Sequence, residues 1–181
     1  KIDLRRMTQW KADYTEKDCI MSIDTGPTVT INGTPYALPT DPRTTLLDFL
    51  HQNLALFGTK KGCDHGQCGA CTVLVDDERI NACLVFAFQL TGKSITTIEG
   101  IAKNDELHPL QRAFVNRDAF QCGYCTSGMI LNACSLLAEN PDPTEEEIRE
   151  SLEGNLCMCT GYQQIIESFQ YAAEKMKGAT R

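Results

Sequence analysis

The chain has 181 residues, of which 42% are hydrophobic and 23% charged, enough to bury a core in one domain or two small ones. A net charge of −7 gives no electrostatic footprint for nucleic acid or an anionic membrane surface. No apolar run approaches the roughly 20 residues that a membrane-spanning helix needs. Residues 1–27 read as an N-terminal extension without the long apolar stretch of an export signal, although Arg5-Arg6 superficially suggests a twin-arginine leader. The expected location is therefore the cytoplasm, with the periplasm left open if the start is processed. Within the extension, Trp10 reads as a packing residue or a partner anchor, and Cys19 as a free thiol.

From residue 28 to about 100 the pattern is strand-like. Val29 and Ile31 alternate with polar neighbours, Asn32-Gly33 is a two-residue hairpin signal, and Tyr36 and Leu38 resume the alternation. Leu46, Leu47, Leu50 and Leu54 recur at helical spacing, predicting a helix over 45–54. A glycine-rich loop over 58–69 precedes a strand over 71–75, a turn at Asp76-Asp77-Glu78, a returning segment over 79–84 and a last strand over 95–98. After a boundary near 100–106 the pattern turns helical. Pro109 suits the first turn of a helix to about 117. A second helix over 126–139 stops at Pro141 and Pro143, and Thr144 with Glu147 forms a capping box for a third. Gly154 reads as that helix's terminator. The fourth, over 161–177, turns Ile165, Ile166, Phe169, Ala172, Ala173 and Met176 to a core. The expected fold is α+β: an extension over 1–27, a small mixed sheet crossed by one helix over 28–102, and four helices over 103–178.

Eight of the ten cysteines fall into two quartets. Cys63, Cys68 and Cys71 have the spacing C-x4-C-x2-C, with Cys83 following from the returning segment. This is the spacing of plant-type ferredoxins, in which four soft thiolates saturate a two-iron centre. Gly58, Gly62, Gly66 and Gly69 let the loop wrap a cluster and aim amide groups at its sulfurs. His65 invites a Rieske reading, but a lone histidine beside four cysteines is better read as a solvent-facing or outer group. Lys60 and Lys61 read as a solvated charged patch. The second quartet joins Cys122 and Cys125, spaced C-x2-C, to Cys157 and Cys159, spaced C-x-C. Both pairs precede helices, where free amides and the dipole favour an anionic group. A disulfide framework suits smaller secreted domains, and such tight pairs make awkward staples. Structural zinc stays open for the second quartet taken alone and is poor for the first.

Three segments together, Gly62-Cys63-Asp64-His65-Gly66-Gln67-Cys68-Gly69-Ala70-Cys71, Gln121-Cys122-Gly123-Tyr124-Cys125 and Cys157-Met158-Cys159-Thr160-Gly161-Tyr162, resemble the iron–sulfur subunit of the molybdenum hydroxylases, the xanthine oxidase and aldehyde oxidoreductase family. The resemblance implies a ferredoxin-like β-grasp domain and a four-helix domain, each holding one [2Fe–2S] cluster. It also implies a large partner subunit with a molybdopterin cofactor and, usually, a medium subunit with FAD. Electrons would pass from the pterin through the helical-domain cluster, then the ferredoxin-type cluster. Gln121 and Cys159 match the family positions that approach the pterin. Aldehydes are the weakly preferred substrate over purines and other N-heterocycles, and a free-standing two-cluster ferredoxin is the competing role. Met158 departs from the arginine common in relatives, and the extension exceeds their usual short start. Cys134, beside Leu131, Leu136 and Leu137, reads as a buried inert thiol. No Ser–His–Asp set, phosphate loop or dinucleotide fingerprint suggests a catalytic site on this chain.

Overall fold

The computed structural model describes residues 26–104 and 106–179; Arg5, Arg6, Trp10 and Cys19 lie outside these. The chain first builds a sheet of order β2-β1-β5-β3-β4. Strands β1 (Thr28–Ile31) and β2 (Thr34–Ala37) form a hairpin in register Val29 to Tyr36. Its two turn residues, Asn32 and Gly33, have φ of 52° and 81°, the left-handed pair that the sheet's twist favours. The second hairpin joins β3 (Thr72–Val75) to β4 (Glu78–Asn81) through Asp76 and Asp77, at φ of 49° and 69°. Strand β5 (Ser94–Thr96) lies parallel to β1 and antiparallel to β3, closing a β-grasp arrangement.

The helix expected over 45–54 is present but not uniform. Thr45 caps a short α1 (Leu46–Asp48), its hydroxyl accepting from the Asp48 amide, and the chain widens into a π-helical turn at Phe49–Asn53. Leu46, Leu47, Phe49 and Leu50 are buried against Val29, Ile31, Val73 and Val75. The last expected strand is shorter than predicted, because the chain bends into a 3-10 turn at Ile98–Gly100.

Four helices follow: α2 (Pro109–Asn116), α3 (Thr126–Glu139), α4 (Glu145–Leu152) and α5 (Gln163–Ala179). Thr144 and Glu147 make the predicted capping box, with the Thr144 amide donating to the carboxylate at 2.7 Å and the Glu147 amide to the hydroxyl at 3.3 Å. Helix α4 ends at Leu152, yet Gly154 is not among the left-handed glycines, and a Cβ there would meet nothing within 4 Å, so the expected terminator role falls to neither backbone conformation nor crowding. Phe114 and Phe169 centre the core with ring centroids 6.3 Å apart. Truncating either ring to alanine would cost about 3–5 kcal/mol.

Helix α3 is buried almost all round, from Ser127 to Ala133 and again at Ser135, Leu136 and Leu137. The reason lies in β3, which is buried at every position rather than at alternate ones. Val73 and Val75 point into the sheet's own core, whereas Leu74 joins the core of the helices together with Ile98 and Ile101. The two halves therefore share an apolar interface, with α3 laid along the sheet.

Candidate metal centres

The first quartet is placed by the β3–β4 hairpin and the loop before it. Thr72 pairs with Asn81, and the Ala82 amide donates to the Cys71 carbonyl at 3.2 Å. Cys71 and Cys83 thus meet just beyond the hairpin's open end, and both are buried. Cys63 and Cys68 form the other pair on the half-buried loop. The Gln67 and Cys68 amides donate to Cys63 Sγ at 3.2 and 3.4 Å, and the Cys63 amide donates to Cys68 Sγ at 3.4 Å. Backbone amides of His65, Cys68 and Gln67 hold the Cys63 thiol down at about 6 against the effect of burial. Burial pushes Cys71 the other way, to about 12.

The second quartet is assembled from segments more than thirty residues apart. Cys122 and Cys159 are exposed, with Sγ atoms 3.5 Å apart. Cys125 and Cys157 are half-buried and also adjacent. Burial raises Cys125 to about 12. Burial acts to raise Cys157 as well, but the Thr160 hydroxyl at 3.1 Å and the Thr160 amide outweigh it and bring that thiol to about 7. The Cys157 amide donates to Tyr162 Oη, which in turn donates to the Asn155 carbonyl. Thr126 and Ser127, directly after Cys125, have hydroxyls that are buried without a partner, two spare donors at the mouth of α3.

Every cysteine among the described residues is a free thiol, which removes the disulfide reading for both quartets. No three Cys, His, Asp or Glu among the described residues converge as a single bound ion would require. The thiols lie instead in pairs, Cys63 with Cys68, Cys71 with Cys83, Cys122 with Cys159 and Cys125 with Cys157. Paired thiols suit a two-iron centre, which takes two thiolates on each iron, better than one tetrahedral zinc. The soft donors, the N–H groups aimed at sulfur and the orphaned hydroxyls all fit an anionic iron–sulfur cluster.

Gln121 is exposed and its Nε2 lies 3.5 Å from the Cys159 carbonyl, so the two residues marked by resemblance stand side by side. His65 is exposed and bonds the Cys63 carbonyl at 2.6 Å, outside the thiol set. Lys61 is not merely solvated: its Nζ pairs with Asp48 at 2.7 Å and Asp64 at 3.4 Å, pinning the loop to α1. Cys134 is half-buried rather than fully buried, and its thiol is raised to about 11 by that burial. Nothing in the sequence pattern singles out Asn132, Asn155 or Arg79, and Tyr124 stands there only as a spacer within a cysteine segment. Tyr124 donates to the Lys61 carbonyl at 2.6 Å, joining the two cysteine loops.

Residues 29–94 match the 2Fe-2S iron-sulfur cluster binding domain family, and residues 97–170 the [2Fe-2S] binding domain family. The chain is similar to the aldehyde oxidoreductase iron-sulfur-binding subunit PaoA of Escherichia coli (strain K12), 49% identical over 165 residues that cover 83% of this chain and 72% of that one. It is 48% identical to the nicotine 6-hydroxylase small subunit of Paenarthrobacter nicotinovorans, over 77% of this chain and 84% of that one. Among solved structures, a chain of quinoline 2-oxidoreductase from Pseudomonas putida 86 superposes with a TM-score of 0.80 at 44% identity, over 84% of this chain and 95% of that one. Aldehyde oxidoreductase from Desulfovibrio gigas gives 0.80 at 40% identity, over 84% of this chain but 17% of that longer one.

Proposed function

Because the chain belongs to the iron–sulfur subunits of the molybdenum hydroxylases, with two [2Fe–2S] domains and a role in electron transfer, we propose which residues perform that role. Cys63, Cys68, Cys71 and Cys83 hold the cluster of residues 28–102, and Cys122, Cys125, Cys157 and Cys159 that of residues 103–178. The observation that carries this assignment is the sorting of eight free thiols into two sets of two adjacent pairs. The bound clusters supply one-electron redox chemistry. The chain's own residues fix four thiolates at each site, aim N–H groups of Gln67, Cys68 and Thr160 at sulfur, and bury Cys71 and Cys83 away from water.

The helical domain faces the large molybdopterin subunit. Its exposed pair, Cys122 and Cys159, is flanked by Phe120, Tyr124 and Leu156, each about half exposed, and by Met158 at 97%. A freely diffusing carrier would keep such apolar side chains few, so they argue for a docked subunit over a free-standing ferredoxin. Gln121 beside Cys159 supplies the polar contact toward the pterin. The sheet domain faces the acceptor, FAD on a medium subunit. Aldehyde oxidation is the assigned reaction of the complex, supported by the 49% identity to the PaoA subunit.

Isolation of the chain from its host tests this reading. We expect about four irons and four labile sulfides per chain, together with a pterin-containing large chain. One or two zincs without sulfide, or a lone stable monomer with no partner, would overturn it.

A further inference from the structure

Two buried asparagines tie together the loops that carry the two quartets, and neither is part of the thiol set. Asn155, 4% exposed, stands two residues before Cys157. Its Nδ2 donates to the Gly69 carbonyl at 3.0 Å, next to Cys68, and lies 3.4 Å from the Thr72 hydroxyl. Its Oδ1 accepts from Asn132 Nδ2 at 2.7 Å. Asn132, on α3 and 1% exposed, also donates to the Ser151 carbonyl at 2.6 Å, and its Oδ1 accepts from Arg79 Nη1 at 2.8 Å on β4. The chain of contacts therefore runs from the sheet, through α3, into the second cysteine loop and back onto the first. Both side-chain amides have partners on oxygen and nitrogen, as a buried network must to hold one arrangement rather than several.

Packing shows the same closeness independently. A Cβ added to Gly69, where φ is +67°, would come 2.1 Å from the Gly154 carbonyl, and one added to Gly128 would come 2.3 Å from the Gly69 carbonyl. Three backbone segments thus touch directly: the first cysteine loop, the start of α3 and the turn after α4. At their junction the Leu156 amide donates to the Cys68 carbonyl at 2.9 Å, joining the residue before Cys157 to a cysteine of the other quartet.

We propose that Asn155, held by Asn132 and Arg79, is a positioning residue that fixes the separation and orientation of the two iron–sulfur centres and so sets the electronic coupling between them. The proposal rests on the reading above that both quartets hold [2Fe–2S] clusters. The apolar packing of α3 on β3 holds the two domains together, but it is non-directional and by itself leaves them some freedom to slide. Electronic and magnetic coupling fall steeply with separation, so any such freedom would spread the coupling over many values. A saturated polar network in the interface, anchored by a charge-assisted bond from Arg79, removes that freedom.

The test uses the complete complex with both clusters reduced, and reads the magnetic splitting between them by electron paramagnetic resonance. Asn155→Leu and Gly128→Ala should keep full iron and sulfide while the splitting shrinks or broadens, with Arg79→Met giving a smaller change in the same direction. A role confined to holding the fold would lower the melting temperature and leave the splitting alone. Unchanged splitting in Asn155→Leu and Gly128→Ala, with both clusters present, overturns the proposal. If Asn155→Leu loses a cluster, Arg79→Met and Gly128→Ala decide by the same criterion. Failure of the unaltered chain to contain two clusters would instead overturn the ligand assignment, and this proposal with it.

Discussion

The two cysteine sites reach the same donor set by opposite routes. In the sheet domain three thiols lie within nine consecutive residues and a hairpin delivers the fourth, with Cys71 and Cys83 buried. In the helical domain two short segments must be brought together by folding, and Cys122 and Cys159 remain exposed. A local loop can be preorganised by its own amides, as Cys63 shows. A composite site depends on the packing of α3, α4 and α5, and it can present its outer edge to another protein.

The sharpest way to break this comparison is to remove one buried thiol from each site. Cys71→Ser should abolish the sheet-domain cluster signal and leave the other, and Cys125→Ser should do the reverse. Loss of both signals from either substitution, with the fold intact by circular dichroism, would show that the sites are not independent. Next in size is the effect of an iron chelator on the isolated chain. The helical-domain signal should disappear first, because Cys122 and Cys159 are open to solvent; prior loss of the sheet-domain signal would reverse the assignment of shelter.

A third test separates loaded from metal-free protein by pH. Cys71 and Cys125 are raised to about 12 and Cys134 to about 11, from an ordinary 9.0, by burial of the thiol. Their protonated forms therefore favour the fold. That contribution is whole below pH 9 and is lost as pH rises toward 12. The melting temperature of the metal-free chain should fall across that window. With clusters bound, the thiolates of Cys71 and Cys125 are already committed, leaving Cys134 alone to contribute. An equal fall in both forms would remove these thiols as the cause.

Smaller effects concern the exposed edge. Gln121→Ala should keep both clusters but slow their reduction by substrate about 5- to 10-fold, the size of one hydrogen bond of ~1 kcal/mol. Unchanged stopped-flow reduction would take Gln121 out of the contact. Met158→Arg should change least, altering the salt dependence of binding to the large subunit without disturbing either cluster. A titration of affinity against ionic strength checks this.

Much of the molecule is legible in its residues because the relevant signals are local. The Asn32-Gly33 turn, the Thr144–Glu147 cap and the apolar spacing of α5 each operate within a few positions. The cysteine spacings are equally local, and the family segments extend them. Other features have no local signature. Asn132 and Asn155 are polar residues that a reading by periodicity assigns to the surface, yet both are buried through partners far along the chain. The apolar run Val73-Leu74-Val75 is the one sequence feature in keeping with a strand covered on both faces, as the structure shows it to be. Lys61, expected in solvent, is paired because α1 happens to end beside its loop.

The amino-acid order alone determined which thiols group together and which helices and hairpins form, since spacing, turn chemistry and caps act over a handful of bonds. Only the tertiary structure decided how the two sites sit against each other. That depends on Leu74 turning into the helical core, on glycines that let backbones touch, and on Asn155 reaching back 86 positions of chain to the Gly69 carbonyl. Such contacts are selected by shape and by the cost of burying an unpaired polar group, and neither is written in any short stretch of residues.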